Sequence, residues 1–323
     1  MRAKILKDMD TEKFFKNKVI SILSALLCVA LWGTAFPVIK KCYIIFSIAK
    51  ADYGSKILFA GNRFFIAGVL VLIAGVFIEK GFIFPKKRDL LPMGMLGFLQ
   101  IFLQYLCSYI GLSNTTGTKT SVITALGSFL VVLTAPLFFK KDRLNFKKIS
   151  GCILGFAGVI IINLGGIAEG SFSFMGEGMV ILSTVAATAG SIYCKKITTG
   201  RNATAISAYH LLFGGLGLIL VGLAFGGRLD FTSFTLYLFL IYLGVVSAVS
   251  FTIWTALLKH NPVSRILIFN LLIPVFGTVW SGVLLGEAIF TTTNLLSVTL
   301  ISAGILFVNM QTKKGKQREG NNE

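Results

Sequence analysis

Apolar residues in this chain gather in runs of about 20, the length a helix needs to cross a lipid bilayer. Ten such runs stand out, at 19–39, 57–78, 91–112, 118–138, 149–165, 178–197, 205–225, 236–257, 264–285 and 293–310, with short polar segments between them. The first follows a basic stretch, as a signal peptide would. It is too long for one, holds Trp32 and Pro37 and has no small-residue cleavage site, so it reads as a span. The pattern predicts an all-α integral membrane domain over 19–310, preceded by a tail at 1–18 and followed by a basic tail at 311–323.

Composition agrees. The chain is 55% hydrophobic and 14% charged, whereas globular chains run nearer a quarter charged. A water-soluble fold of this length could not cover so much apolar surface. The net charge of +18 would by itself suggest nucleic acid, but the basic residues are spread in clusters between helix pairs. With the N-terminus in the cytoplasm, the cytoplasmic segments hold 24 of the 31 Lys and Arg. The outer segments hold Lys40, Lys41, Lys50, Lys56, Lys119 and Arg228, and Arg63 lies within a span. That bias predicts a multi-pass protein of the cell membrane with both termini cytoplasmic, and no nucleic-acid partner. Phe14 and Phe15 in the leading tail could touch the membrane surface, although a solvated tail suits the segment better.

Two halves of the chain resemble one another. Arg63-Phe-Phe-Ile-Ala-Gly68 aligns with His210-Leu-Leu-Phe-Gly-Gly215, and Gly75 then meets Gly222 without a gap. Gly158-Val-Ile-Ile-Ile-Asn163 matches Gly304-Ile-Leu-Phe-Val-Asn309, each about 16 residues after an acidic residue, Asp142 or Glu287. The expectation is a duplication of five helices, repeat one at 19–165 and repeat two at 178–310. Five is odd, so the second copy enters the membrane inverted. Inverted repeats recur in secondary transporters, with the substrate near the midplane between the halves. The spacings Gly151 to Gly155 and Gly282 to Gly286 predict close helix contacts in lipid.

Several short motifs carry a family resemblance. Leu31-Trp-Gly-Thr-Ala-Phe-Pro-Val38, Arg63-Phe64, Gly111-Leu-Ser-Asn-Thr-Thr116 followed by Lys119, and Asn270-Leu-Leu-Ile-Pro-Val-Phe-Gly followed by Leu285-Gly-Glu287 resemble the EamA-type branch of the drug/metabolite transporter superfamily. The resemblance runs from about residue 20 to 310 and implies a ten-helix permease that exports or exchanges small metabolites, often amino acids. One departure concerns the second copy's Pro274, 13 residues before Glu287, because Phe129 stands 13 before Asp142. The first copy thus lacks the helix break that a proline would supply there.

Polar groups within spans are costly and are functional candidates. Arg63 is the sharpest, able to pair with a substrate carboxylate or phosphate or to clamp helix ends. Lys119 could add a second cation to the same vestibule or anchor the interface. His210, aligned with Arg63, could titrate near neutrality or simply pack. Trp32 and Phe36 precede Pro37, whose missing N–H frees a carbonyl and predicts a break in the first helix. Gln104, Tyr209, Trp254, Asn270 and Pro274 complete the candidates. All 13 carboxylates fall in loops, tails or helix ends, which disfavours coupling through a buried acid and an organic-cation substrate. Five cysteines have no metal or redox spacing, and no ATP-binding, cofactor or metal motif occurs.

The resulting expectation is a non-enzymatic carrier of a small polar metabolite, an amino acid or related zwitterion or anion, working by alternating access. A sugar-phosphate or nucleotide-sugar exchanger is the second reading, a lipid-modifying membrane enzyme a remote third. The lipid bilayer is the surrounding partner, and a homodimer is compatible with all three.

Overall fold

The computed structural model describes residues 11–49, 51–79, 81–140, 142–163, 172–285 and 292–310, and these are helical throughout apart from turns and short connections. We number the crossings α1 to α10. They are α1 Lys18–Ile45, α2 Tyr53–Glu79, α4 Gly117–Phe138, α5 Phe146–Ile162, α7 Ala203–Ala224, α8 Phe234–His260 and α10 Thr292–Asn309, with three composite helices between. The composite α3 joins Lys87–Gly97 to Gln104–Asn114 through a π turn, Phe98–Leu103. In α6 a π turn, Phe174–Gly178, leads into Met179–Thr198. In α9, Val263–Leu267 passes through the 3-10 segment Ile268–Leu272 into Ile273–Leu285.

Among the described residues nine helices are long and apolar enough to cross a membrane. The tenth, α5, has 17 residues. Their starts are written in the sequence. The first N–H groups of a helix have no partner within it, and Asn17, Thr116, Asn145 and Asn202 accept from them at the starts of α1, α4, α5 and α7. Large apolar side chains such as Phe77, Leu137, Leu220 and Leu306 face outwards, where hydrocarbon rather than water suits them.

The two halves are related by an approximate two-fold. Helix α1 packs on α8 and α9, and α6 packs on α3 and α4 in the same way. The repeat-equivalent pairs α2/α7 and α5/α10 pack on each other and run antiparallel. Along the first seam a Cβ on Gly215 would lie 2.6 Å from the Phe65 nitrogen, and one on Gly222 2.6 Å from the Leu58 nitrogen. Gly68 meets Leu212 from the other side. In the second seam a Cβ on Gly151 would stand 2.6 Å from the Gly304 oxygen, and one on Gly304 2.7 Å from the Gly155 nitrogen. The spacing of Gly151 and Gly155 therefore serves backbone approach in lipid. Residues 286 and 287, with the Gly282–Gly286 spacing and Glu287, lie outside the described residues, as do residues 1–10 and the basic tail from 311.

Proline acts differently in two helices. Pro274 cannot donate to the Asn270 carbonyl, and Ile273 N–H does so instead, producing the tight 3-10 turn. In α4, where Phe129 stands at the matching place, the helix is uninterrupted. Pro37 does not break α1, which runs through it from Lys18 to Ile45; the break that this proline suggested is absent.

Each end of the bundle is fastened across the repeats. At the end bearing the termini, residues 11–16 are helical, and the Asn261 amide donates to the Phe15 carbonyl at 2.9 Å. Phe15 stacks on His260 with ring centroids 6.2 Å apart, so this part of the leading segment is docked on the bundle and not a solvated tail. Asp142 accepts from the Ser264 N–H at 3.0 Å, and from the Ser264 hydroxyl and the Lys148 ammonium, capping the start of α9. At the far end Glu177 binds Lys119 at 3.0 Å, the Thr115 hydroxyl at 2.7 Å and the Ser173 N–H at 2.9 Å.

Candidate functional site

The middle of the bundle is aromatic, and its hub is Phe251 of α8. Its ring meets Trp32 of α1 at 5.4 Å, His210 of α7 at 5.7 Å and Phe64 of α2 at 6.1 Å, each edge to face. Trp32 also contacts Trp254, one turn along α8, at 4.9 Å. Edge-to-face contacts at these separations are favourable. The residues come from α1 and α2 of repeat one and α7 and α8 of repeat two, so the cluster straddles the repeat interface. The indole nitrogen of Trp32 is buried there with no hydrogen-bond partner among the described residues.

Arg63 adjoins this cluster. Helix α2 begins at Tyr53, which places Arg63 ten residues along it, about 15 Å from that end by helical rise. That is deeper than the sequence pattern indicated. The side chain is 5% exposed. Its guanidinium lies over Phe64, 4.3 Å from the ring centroid, and over Tyr105 of α3 at 5.4 Å. Such stacking holds the plane of the fork while leaving N–H groups for another acceptor. The Nε atom is buried without a partner, and among the described residues no carboxylate pairs with Arg63. A buried charge in this state is expensive, and an anionic ligand would relieve it.

His210 is fully buried. Its Nδ1 lies 2.8 Å from the Ile206 carbonyl, which requires the proton on Nδ1 and leaves Nε2 a buried acceptor with no partner among the described residues. Tyr209, its neighbour, stacks at 6.0 Å on Phe213 and touches both main buried clusters. Gln104 is only partly buried at the end of the π turn in α3. Gln100, inside that turn, is buried against Gly190 of α6. π turns frequently mark functional positions, and the deeper of these two glutamines is the one that the sequence pattern did not single out.

Other candidates do not join the centre. Lys119 is held by Glu177 beside a cavity of about 260 Å³ that they line with Val122, Ile123 and Phe172. It fastens α4 to α6, and the described lining of this cavity does not include Arg63. Phe36 is 56% exposed and lies across Gly277 of α9. Pro37 is buried one turn from Thr34, whose hydroxyl accepts from Tyr242 of α8 at 2.8 Å. Asn270 sits in the 3-10 turn before Pro274, with its side-chain oxygen buried and without a partner among the described residues.

Sequence reasoning missed Phe251 because one phenylalanine among 29 carries no signal. It also assigned Lys56 to an outer segment, whereas α2 begins before it and leaves it 7% exposed. Lys56 donates to the Ser113 hydroxyl at 3.2 Å and lies over the Tyr43 ring at 5.7 Å. A signal existed in Tyr105, Tyr109 and Ser113, which recur every four residues and so share one face of α3.

The profile of the EamA-like transporter family matches residues 19–164 and again 174–310. An uncharacterized transporter of Bacillus subtilis (strain 168), YetK, is 27% identical over 267 residues, covering 80% of this chain and 79% of that protein. A protein of Salmonella typhimurium (strain LT2) described as a probable amino-acid metabolite efflux pump is 28% identical over 301 residues, covering 88% of this chain and 93% of its own. A solved crystal structure shares the fold with a TM-score of 0.72 at 18% identity, across 89% of this chain and 97% of the other. With both halves matched, and with ten helices packed as two inverted repeats around a buried arginine, the chain belongs to the EamA-like transporter family.

Proposed function

We propose that this transporter carries a small carboxylate-bearing metabolite, an amino acid or a related zwitterion or anion, by alternating access at the repeat interface. The observation that supports this reading is Arg63, deeply buried, stacked between Phe64 and Tyr105, and without a carboxylate partner among the described residues. A guanidinium in that condition favours a planar anion that takes two parallel hydrogen bonds. The aromatic group around Phe251 would receive the apolar remainder of the substrate. The probable amino-acid efflux pump among the relatives agrees with this class.

Repeat one over 19–165 and repeat two over 178–310 would exchange roles, opening the site to one face and then the other. The basic loops favour a cell-membrane protein with cytoplasmic termini. Among the described residues the neighbours of Arg63 are aromatic rings, Phe64 and Tyr105, an arrangement that suits binding better than bond-breaking chemistry and favours transport over an enzyme. Pairing of Lys119 with Glu177 favours the carboxylate-bearing class over a phosphorylated sugar, for which Arg63 and Lys119 would have served as paired cations.

Counterflow tests the reading. Proteoliposomes loaded with an unlabelled amino-acid mixture should accumulate the radiolabelled mixture. Arg63→Ala should lower that flux by about tenfold or more, the scale of one lost charge-assisted hydrogen bond, while keeping a monodisperse, folded protein. Wild-type protein that moves none of the mixture would defeat the proposal.

A further inference from the structure

Between α2 and α3 the chain turns back, at the end bearing the termini, through residues 81–86, which are not helical. Ile83 turns inwards, against Gly75 of α2 and onto the buried cluster that includes Met93 and Ile206. Its neighbours Phe82 and Phe84 turn outwards, 77% and 78% exposed, with their rings 5.7 Å apart. Lys86, Lys87 and Arg88 follow, and all three are exposed. The acid after them, Asp89, is held by the Arg201 guanidinium at 2.7 Å and does not neutralise them. Aromatic rings and cations thus meet at one level of the bundle, where lipid headgroups would lie.

A groove of about 500 Å³ opens beside these cations, lined by Leu90, Leu91, Gly94, Met95 and Phe98 of α3 and by Phe213 of α7. Lys87, Leu91, Met95 and Phe98 are spaced by four, four and three, so they share one face of α3 with the cation at its head. That face runs for about 16 Å by helical rise. Its walls are braced: Phe213 stacks on Tyr209 at 6.0 Å, Phe98 stacks on Phe102 at 5.5 Å, and Phe102 lies against Gly217 of α7. Gly94 opens the groove. Glycine weakens a helix relative to alanine, and at Gly97 packing explains it, because a Cβ there would lie 2.6 Å from the His210 oxygen. At Gly94 a Cβ would meet only the Phe213 ring, at 3.9 Å. Close helix packing does not require glycine at that position, and a larger side chain there would fill the groove.

We propose that this groove, with Lys87 at its head and Lys86 and Arg88 beside it, is a site for one anionic phospholipid. The phosphate meets the cations, and one acyl chain lies along Leu91, Met95 and Phe98 against Phe213. The charge selects the headgroup and the apolar groove selects a lipid over a free anion. The site lies apart from the aromatic centre and is independent of the carrier reading. Its walls come from α3 of repeat one and α7 of repeat two, so a chain seated there touches both halves.

Native mass spectrometry of the full chain, released from detergent after titration with dioleoyl phosphatidylglycerol or dioleoyl phosphatidylcholine, tests the site. The wild type should bind one phosphatidylglycerol about tenfold more tightly than phosphatidylcholine. Lys87→Gln should weaken phosphatidylglycerol about fivefold, the scale of one cation near an anionic headgroup, and leave phosphatidylcholine unchanged. Lys87→Arg should keep the wild-type affinity. Replacing Lys86, Lys87 and Arg88 together by Gln should bring the two lipids level. Gly94→Leu should weaken both lipids, with an unfolding temperature in lipid-free detergent no lower than that of the wild type. Equal affinity for the two lipids in the wild type overturns the site, as does phosphatidylglycerol binding that survives both the triple variant and Gly94→Leu. Binding of glycerol phosphate as tight as that of the lipid would remove the groove from the site and overturn it too. A dimer that Gly94→Leu converts to a monomer would assign this face to a second copy of the chain and defeat the proposal.

Discussion

The Lys119 ammonium lies 3.0 Å from the Glu177 carboxylate, joining the start of α4 in repeat one to the start of α6 in repeat two. Among the described residues the same place in the inverted half is joined through a side-chain amide. There Asn261, between α8 and α9, donates to the Phe15 carbonyl ahead of α1 and accepts from the Ser21 hydroxyl at 3.5 Å. Two fasteners thus occupy pseudo-equivalent positions at opposite ends, one ionic and one built from amides. Both are closed here.

Breaking the ionic fastener should loosen its own end. In Glu177→Gln the Thr115 and Ser173 bonds have a weaker acceptor and Lys119 has lost its counter-charge. A cysteine at Val122, which lines the adjoining cavity, should then react several-fold faster with a membrane-impermeant maleimide. The five native cysteines are all buried, so background labelling should be low. An unaltered rate would show that the pair does not hold this end shut.

Asn261→Ala should act at the other end. It removes the amide that binds the Phe15 and Leu257 carbonyls. These keep the Ser21 hydroxyl and the N–H of residue 261 as donors, so the loss is that of a net hydrogen bond, roughly 0.5–1.5 kcal/mol. The expected result is faster tryptic cleavage at Lys13 and Lys16 and a lower unfolding temperature in detergent. Maleimide reaction at the Val122 position should not change.

The glycine seams should be the least tolerant positions. Gly215→Ala and Gly304→Ala would each force a methyl group against the partner backbone, and overpacking of this kind costs about 1–3 kcal/mol. Gly117→Ala and Gly81→Ala, where an added Cβ meets nothing within 4 Å, are the controls and should leave thermal unfolding unchanged.

His210 gives a prediction about pH. Its ring is fully buried, its hydrogen bond to Ile206 is the one a neutral Nδ1–H imidazole makes, and its aromatic partner is Phe251. The histidine serves packing in this arrangement, so proton coupling through it is not expected. His210→Gln should leave the pH profile of counterflow unaltered between about pH 6 and 8, the range in which an exposed histidine would titrate. A profile that flattens in this variant would assign the coupling to His210 after all.

Much of the fold was legible because hydrocarbon demands long apolar runs and because glycine marks close approach. The alignment of Gly68 with Gly215 drew on that, and both residues lie in one seam between α2 and α7. Pro274 announced a break in α9, since a missing N–H has local consequences. Pro37 announced one in α1 that did not occur. The site was less legible because its members meet across the repeats. Lys119 and Glu177 are 58 positions apart, and neither residue type implies the other. Lys56 was misplaced by a helix start four residues earlier than the apolar run suggested. Phe251 gains its position only when α1, α2 and α7 pack around α8.

The seams have a mechanical consequence. A pair of helices that a two-fold exchanges with one another must straddle that axis, and α2/α7 and α5/α10 do so with backbone against backbone. Where glycine brings the backbones together there is little side chain to re-pack, so these pairs cannot slide or spread cheaply. They are suited to act as axles. The swing between one open face and the other then falls to the remaining six helices, which carry the fasteners at either end. Trp32, at the midpoint of α1, sits at the fulcrum of one of these levers, where the smallest displacement accompanies the largest movement at the ends.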